Sequence, residues 1–318
     1  MLCGMKQIVS GVVAAIVAAL AVSCQTATKS GAIAEVPKLG DSVPRELEGL
    51  HNVVAFHAAV FSGSSPLGEA GFATLAAMNV KTVISVDGAA PNVVAAHKHG
   101  IRYVHLPIGY DGFDSHRRIE LARAARDGLT RGSVYVHCQH GKHRSATAAA
   151  SIAQCLGWMS KEEGHARMKV SGTAESYAGL YRCAAEAGVL SDEEIESVSG
   201  EFVEVQAPRG FLMSMVEIDE VMGHLHAIEK AGWNVPAEQP DLVPAAQAGR
   251  LADLFRDLQK DDRAMRNPLD FLEQLKTEEK RAKRLEEMLV AGEAGKELSL
   301  ELLGLGRSCK ECHAKYRD

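Results

Sequence analysis

Between residues 53 and 137 short runs of β-branched residues alternate with helical patterns, and a chain with that alternation has few folds open to it. The runs lie at 53–56, 60–62, 80–86, 101–107 and 133–137. Helical spacing occupies 68–79, 91–99 and 116–129, and an Ala-rich helix covers 146–156. Strands separated by helices predict an α/β domain: a mostly parallel sheet with helices on both faces. After residue 208 no strand pattern survives. Phe211, Met215, Ile218, Met222 and Leu225 recur at steps of four and three, as do Leu298, Leu302, Leu305, Cys309, Cys312 and Tyr316. Two further helices are expected at 245–264 and 269–290, set off by prolines and by Gly292 and Gly295. The second body is therefore expected to be an all-α four-helix bundle.

Charge changes at the same place. Residues 209–318 hold 17 basic and 21 acidic side chains, half of the chain's charges in its last third. The expected organisation is a signal at 1–23, a tether at 24–50, an α/β domain at 51–189, a linker at 190–208 and the bundle at 209–318. A formal net charge of −6 offers no general attraction to nucleic acid. The doublets Lys280-Arg281 and Lys283-Arg284 alternate with Glu278-Glu279 and Glu286-Glu287, which reads as a solvated helix face.

Lys6 precedes a 15-residue apolar run at 8–22 that ends in Ser23. The run is short for a bilayer span, and its order is that of a secretory signal. Residues 20–24 resemble a bacterial lipoprotein box, after which Cys24 would carry lipid and attach the protein to a membrane. The same small residues suit ordinary signal peptidase, and an uncleaved anchor is the third option. All three place the remainder outside the cytoplasm, in a bacterial periplasm or on a membrane facing it.

Seven cysteines are too few for a disulfide scaffold in 318 residues, so each is read by its neighbours. Cys138 closes the last predicted strand in His137-Cys138-Gln139-His140-Gly141-Lys142-His143-Arg144-Ser145. A strand that passes through a short loop into a helix aims backbone N–H groups and the positive helix end at one point, which suits a phosphate-sized dianion. The same field favours a Cys138 thiolate. Gly141 lets the loop curl, Arg144 can grip two oxygens at once, and Ser145 can hydrogen-bond the sulfur. His140 and His143 are expected on the rim. A lone buried cysteine is usually structural, and Cys155 and Cys183 are read so, unless one lies near enough to Cys138 to act as a resolving thiol.

These residues resemble the His-Cys-x-x-Gly-x-x-Arg-Ser signature of the cysteine-dependent protein tyrosine phosphatases, nearest to the compact dual-specificity type, over roughly 51–188. The resemblance implies a phosphate cradle formed by Gln139, His140, Gly141, Lys142, His143 and Arg144. It implies nucleophilic attack by Cys138, assistance from Ser145, and a general acid on a preceding loop. Asp111, 27 residues before Cys138, matches that loop best, with Asp114 in reserve.

Near the C-terminus stands Cys309-Lys310-Glu311-Cys312-His313. Two cysteines three apart with an adjacent histidine on one helix can bond both vinyl groups of a haem and ligate its iron. A zinc half-site and a redox pair are the other readings of so short a motif. The segment 209–318 resembles the cytochrome c′ class of four-helix cytochromes. That resemblance implies covalent haem c on Cys309 and Cys312, His313 as proximal ligand, and Met213 or Met215 as a sixth ligand, with Met222 further off. The combined expectation is an exported phosphatase joined to a haem domain for electron transfer or for sensing redox state or a gas. Its partners would be a phosphorylated substrate, a redox partner and a second copy through the bundle. The alternative is a haem protein with a non-catalytic anion-binding module.

Overall fold

The computed structural model describes residues 36–206, 210–239 and 242–316. The signal, Cys24 and most of the tether lie outside the described residues. Among the described residues no helix is long and apolar enough to cross a membrane.

The chain runs β1 (Arg45–Leu47), β2 (Leu50–His57), β3 (Val60–Ser64), α1 (Gly68–Ala77), β4 (Val80–Ser85), α2 (Val93–Lys98), β5 (Arg102–His105), α3 (Ser115–Leu129) and β6 (Ser133–Cys138). It continues through α4 (Arg144–Cys155), α5 (Lys161–Val170), α6 (Ala178–Glu186), α7 (Asp192–Glu196), α8 (Phe211–Lys230), α9 (Pro244–Leu258), α10 (Asp262–Met265), α11 (Leu269–Ala291) and α12 (Gly295–Tyr316). One mixed sheet has the order β1-β2-β3-β6-β4-β5. Pairings β3–β6, β6–β4 and β4–β5 are parallel, as the helical connections require. β1, β2 and β3 are joined by tight antiparallel turns. The run at 53–56 thus forms a hairpin with its successor, since only two residues separate β2 from β3.

Alternation along each strand divides the apolar side chains between two layers. Val53, Ala55, Phe61, Val83 and Tyr135 pack under α1 and α2. Val54, Phe56, Ile84, Val134, Val136 and Cys138 face α4, α3 and α6 on the other side. All twelve residues of α4 are buried. Its run of alanines and small polar residues keeps the helix thin enough to lie between the sheet and its neighbours.

The helical half contains four long helices, α8, α9, α11 and α12, around one apolar core that includes Val221, Leu225, Leu251, Phe255, Leu285 and Leu302. It does not stand apart from the sheet. Ala245 and Ala246 of α9 belong to the same core cluster as Cys138 and α4. Two stretches expected to be irregular are built into the fold. β1 lies within the predicted tether, where Leu50 is also buried. The predicted linker contains α7 and then runs beside β5: His105 N donates to Val203 O at 3.1 Å, and Tyr103 N donates to the Glu204 carboxylate at 3.1 Å. This covers the backbone groups of an edge strand.

Candidate active site

β6 lies in the middle of the sheet, and its carboxyl end delivers Cys138 to the crevice into which β3 and β4 also open. The loop 139–143 then turns into α4. No side chain caps α4, so its first N–H groups remain directed at the loop interior. Gly141 makes the turn with φ +75°, and a Cβ there would lie 2.3 Å from Gly63 C and 2.5 Å from Ser64 N. Only glycine allows that approach of loop to strand. The loop is fastened from outside: Asn52 Nδ2 donates to Gly141 O (3.0 Å) and Ser171 O (2.9 Å), and Thr173 Oγ1 donates to Lys142 O (2.6 Å).

Cys138 and Arg144 meet inside this turn, 3% and 2% exposed. Cys138 Sγ donates to Ser145 Oγ at 3.3 Å. Arg144 Nε, fully buried, has no partner among the described residues. Nη2 donates to Tyr110 Oη at 3.1 Å, and the guanidinium carbon lies 4.3 Å from the Tyr110 ring centroid. Nη1 pairs with Asp253 of α9 at 2.6 Å, and Asp87 lies 3.7 Å from Nη2. Arg256, one turn beyond Asp253, bonds both Asp87 and Asp253. Burial raises the Asp87 carboxyl, but Arg256 and Arg144 outweigh it and hold the group well below the usual carboxylate range. Two arginines and two aspartates therefore form a closed, charge-balanced cluster across the two halves of the chain.

The histidines of the signature carry no charge at neutral pH. Burial pushes His137 and His140 down to about 4, and His143 to about 3. His140 is partly exposed, as expected of a rim residue. His143 is not: it is buried, with its ring 4.4 Å from that of Tyr177, because α6 closes over the loop. Lys142 is exposed and Gln139 half-buried.

Asp111 is exposed, and its carboxylate bonds none of the described residues. Its segment is fixed by backbone contacts. Arg182 Nη2 donates to Asp111 O at 3.3 Å, and Phe113 N donates to Cys183 Sγ at 3.1 Å. Asp114 caps α3 by accepting from Arg117 N. Tyr110, rather than Asp111, reaches Arg144. It packs against α9 where residue 249 is glycine, since a Cβ there would lie 2.8 Å from Tyr110 Cζ and 3.0 Å from Glu286 Oε1. Tyr177 stacks on Tyr110 and donates to Glu286 at 2.8 Å. A cavity of about 190 Å³ remains above the loop, lined by Gln139, His140, Asp253 and Arg256 with Lys280 and Lys283 of α11 at its outer side. Cys155 is not near Cys138. Cys155 ends α4, about 16 Å along the helix from Arg144, and Cys183 holds Phe113.

At the C-terminal motif the side chains divide by face. Cys312 packs against the helical core, where Phe211, Met215 and Met222 also pack. Cys309 is half-buried and His313 exposed. Met213 is 59% exposed. Burial and the nearby Glu278 raise the Cys309 thiol to about 11. Glu278 is itself buried, with Oε2 unpartnered among the described residues. With Glu286 it corrects the expectation of a solvated face: both carboxylates turn inward, Glu278 toward Ser308 and Glu286 toward Tyr177.

Five residues of this arrangement were not picked out by sequence reasoning. Asp87 follows directly on a predicted strand, and Tyr110 adjoins Asp111. Asp253 and Arg256 form an i,i+3 charge pair, but nothing marks their helix as facing the loop. Asn52 carries no local signal at all.

No protein-family model matches the sequence, and no curated protein is similar to it. Several solved structures are similar over about half of the chain. TpbA from P. aeruginosa is 18% identical over 51% of this chain and 94% of its own, with TM-score 0.39. The core catalytic domain of the PP-IP phosphatase SIW14 from S. cerevisiae is 15% identical over 49% and 90%, with TM-score 0.33. PTPMT1 in complex with PI(5)P is 20% identical over 46% and 97%, with TM-score 0.35.

Proposed function

We propose that this protein is a cysteine-dependent phosphatase acting on phosphoric monoesters. The observation that carries the reading is the buried meeting of Cys138, Ser145 and Arg144 where a central strand turns into an uncapped helix, with Arg144 Nε left without a partner. Backbone N–H groups of 139–144 and the Arg144 fork would hold the non-bridging oxygens. Cys138 Sγ attacks phosphorus, forming the S–P bond as the ester P–O bond breaks, and Asp111 gives its proton to the departing oxygen. Water then attacks phosphorus, Asp111 takes back a proton, and the thiolate leaves with Ser145 Oγ–H bonding the sulfur. The exposed Asp111 would have to turn inward past Tyr110 for the first step.

We further propose that the helical half carries covalent haem c, because Cys312 and Met215 share the helical core while Cys309 stands one turn before and His313 is unencumbered. Cys309 and Cys312 would supply the thioether links, and His313 and Met215 would be the residues available to ligate the iron. The group would supply reversible one-electron chemistry or gas binding. Export to a periplasm, lipid attachment through Cys24, a redox partner and pairing of two copies through the helices belong to the same proposal. The test is aryl phosphate turnover by periplasmically matured protein in ferric and ferrous states, beside Cys138→Ser and Asp111→Asn. Loss of turnover in Cys138→Ser is expected. Absence of turnover in every form would leave an anion-binding module, the second reading.

A further inference from the structure

Arg144 is already engaged by an anion, and that anion belongs to the other half of the chain. Asp253 Oδ2 lies 2.6 Å from Nη1, the distance of a charge-assisted hydrogen bond to a bound oxyanion. We propose that α9 is an autoinhibitory clasp in which the Asp253 carboxylate occupies the place of a substrate phosphoryl oxygen. This rests on the phosphatase reading of the same loop.

Charge balance supports it. A cradle for a dianion should be net positive, yet around Arg144 the two arginines are matched by Asp87 and Asp253, and all three signature histidines are neutral. Removing Asp253 restores one positive charge at the point where phosphate would arrive. An arginine held only for orientation would not need a second carboxylate, since Asp87, two residues beyond the end of β4, already lies 3.7 Å from Nη2.

The four charges also define two complete pairings. In the clasped arrangement Arg144 pairs with Asp253 and Arg256 with Asp87, while Arg144 and Asp87 stand 3.7 Å apart. On withdrawal of α9, Arg144 and Asp87 can close on each other. Arg256 keeps Asp253, already 2.7 Å away within its own helix. Neither state leaves an unpaired buried charge, which is the condition for a switch between two stable arrangements. Gly249 sets how closely α9 approaches Tyr110, the Lys260–Ala90 bond fastens the chain just after α9, and the Tyr177–Glu286 bond fastens the neighbouring α11.

The test measures inorganic phosphate binding by calorimetry in full-length Cys138→Ser protein, with aryl phosphate turnover measured in parallel on the Cys138 form. Asp253→Asn is expected to bind phosphate about tenfold more tightly, from removal of a competing charge at contact distance, and to raise kcat/KM similarly. Asp253→Glu retains the block. Gly249→Val, which drives α9 away from Tyr110 and Glu286 while keeping the Asp253 carboxylate, should mimic Asp253→Asn and serves if that variant fails to fold. Equal or weaker phosphate affinity in Asp253→Asn and Gly249→Val would overturn the clasp, whatever the turnover. Tighter phosphate with no turnover in any form would uphold the clasp and remove the phosphatase reading instead.

Discussion

Glu286 links the two halves through a buried carboxyl, and its replacement by glutamine has a calculable effect. Burial raises this group from 4.5 to about 7, against the hydrogen bond that Tyr177 donates to it. The side chain is 4% exposed, so solvent screening does not reduce the effect. The folded state holds the proton more tightly than the unfolded chain. Its contribution is therefore intact below pH 4.5 and is lost as pH rises through 7. Once the group is ionised in both states, the folded protein is less stable by about 3 kcal/mol than with a neutral side chain there. Glutamine keeps an oxygen to accept from Tyr177 and never ionises. In urea unfolding, Glu286→Gln should exceed wild type by about 3 kcal/mol at pH 8 and by under about 1 kcal/mol at pH 5. Asp257, pushed up to about 7 by burial and by Asp253 and Asp87, is present in both chains and cancels in the difference. A gap of the same size at both pH values would refute the reasoning.

Gly141→Ala places a methyl against the Gly63–Ser64 backbone at a positive φ, so a loss of about 1–3 kcal/mol in chemical unfolding is expected, together with loss of phosphate binding. Unchanged stability would mean that the loop does not hold this turn. In protein matured with covalent haem, Met215→Leu should alter the visible spectrum and Met213→Leu, at a 59% exposed position, should leave it as in wild type. A spectrum altered by Met213→Leu alone would reassign the ligand.

The strand and helix pattern was legible because each apolar run obeys the period of its element, and the buried side chains of β2 and β6 divide between two layers as alternation requires. The loop 139–143 was legible for a different reason: its chemistry is local, carried by nine consecutive residues that end one strand and begin one helix. What was hidden is what comes from a distance. Asn52 holds the loop by reaching across 89 positions from β2, where its φ is +56°, and its neighbours in the sequence do not mark it. His143 was read as a rim residue because loops lie outside, and the approach of Tyr177 reverses that. Glu286 was read as solvated because its neighbours alternate in sign, although helical spacing places it beside Ala282 and Leu289.

The same limit explains why the helical half was read as an independent body. Its periodic residues define a core, and a core of its own is what makes a segment look like a domain. Yet α9 has two working faces. Leu251, Leu254 and Phe255 point into the helical core, while Ala245, Ala246, Gly249, Asp253 and Arg256 lie against the sheet half. A helix buried on both sides must present small residues where it meets a second surface, and 245, 246 and 249 are Ala, Ala and Gly. The charged pair that follows them is tolerated in burial only because Asp87 and Arg144 complete it. Separating the halves at 190–208 would therefore leave Asp253 and Arg256 exposed on a helix whose small-residue face has lost its partner. It would leave Arg144 with Asp87 alone.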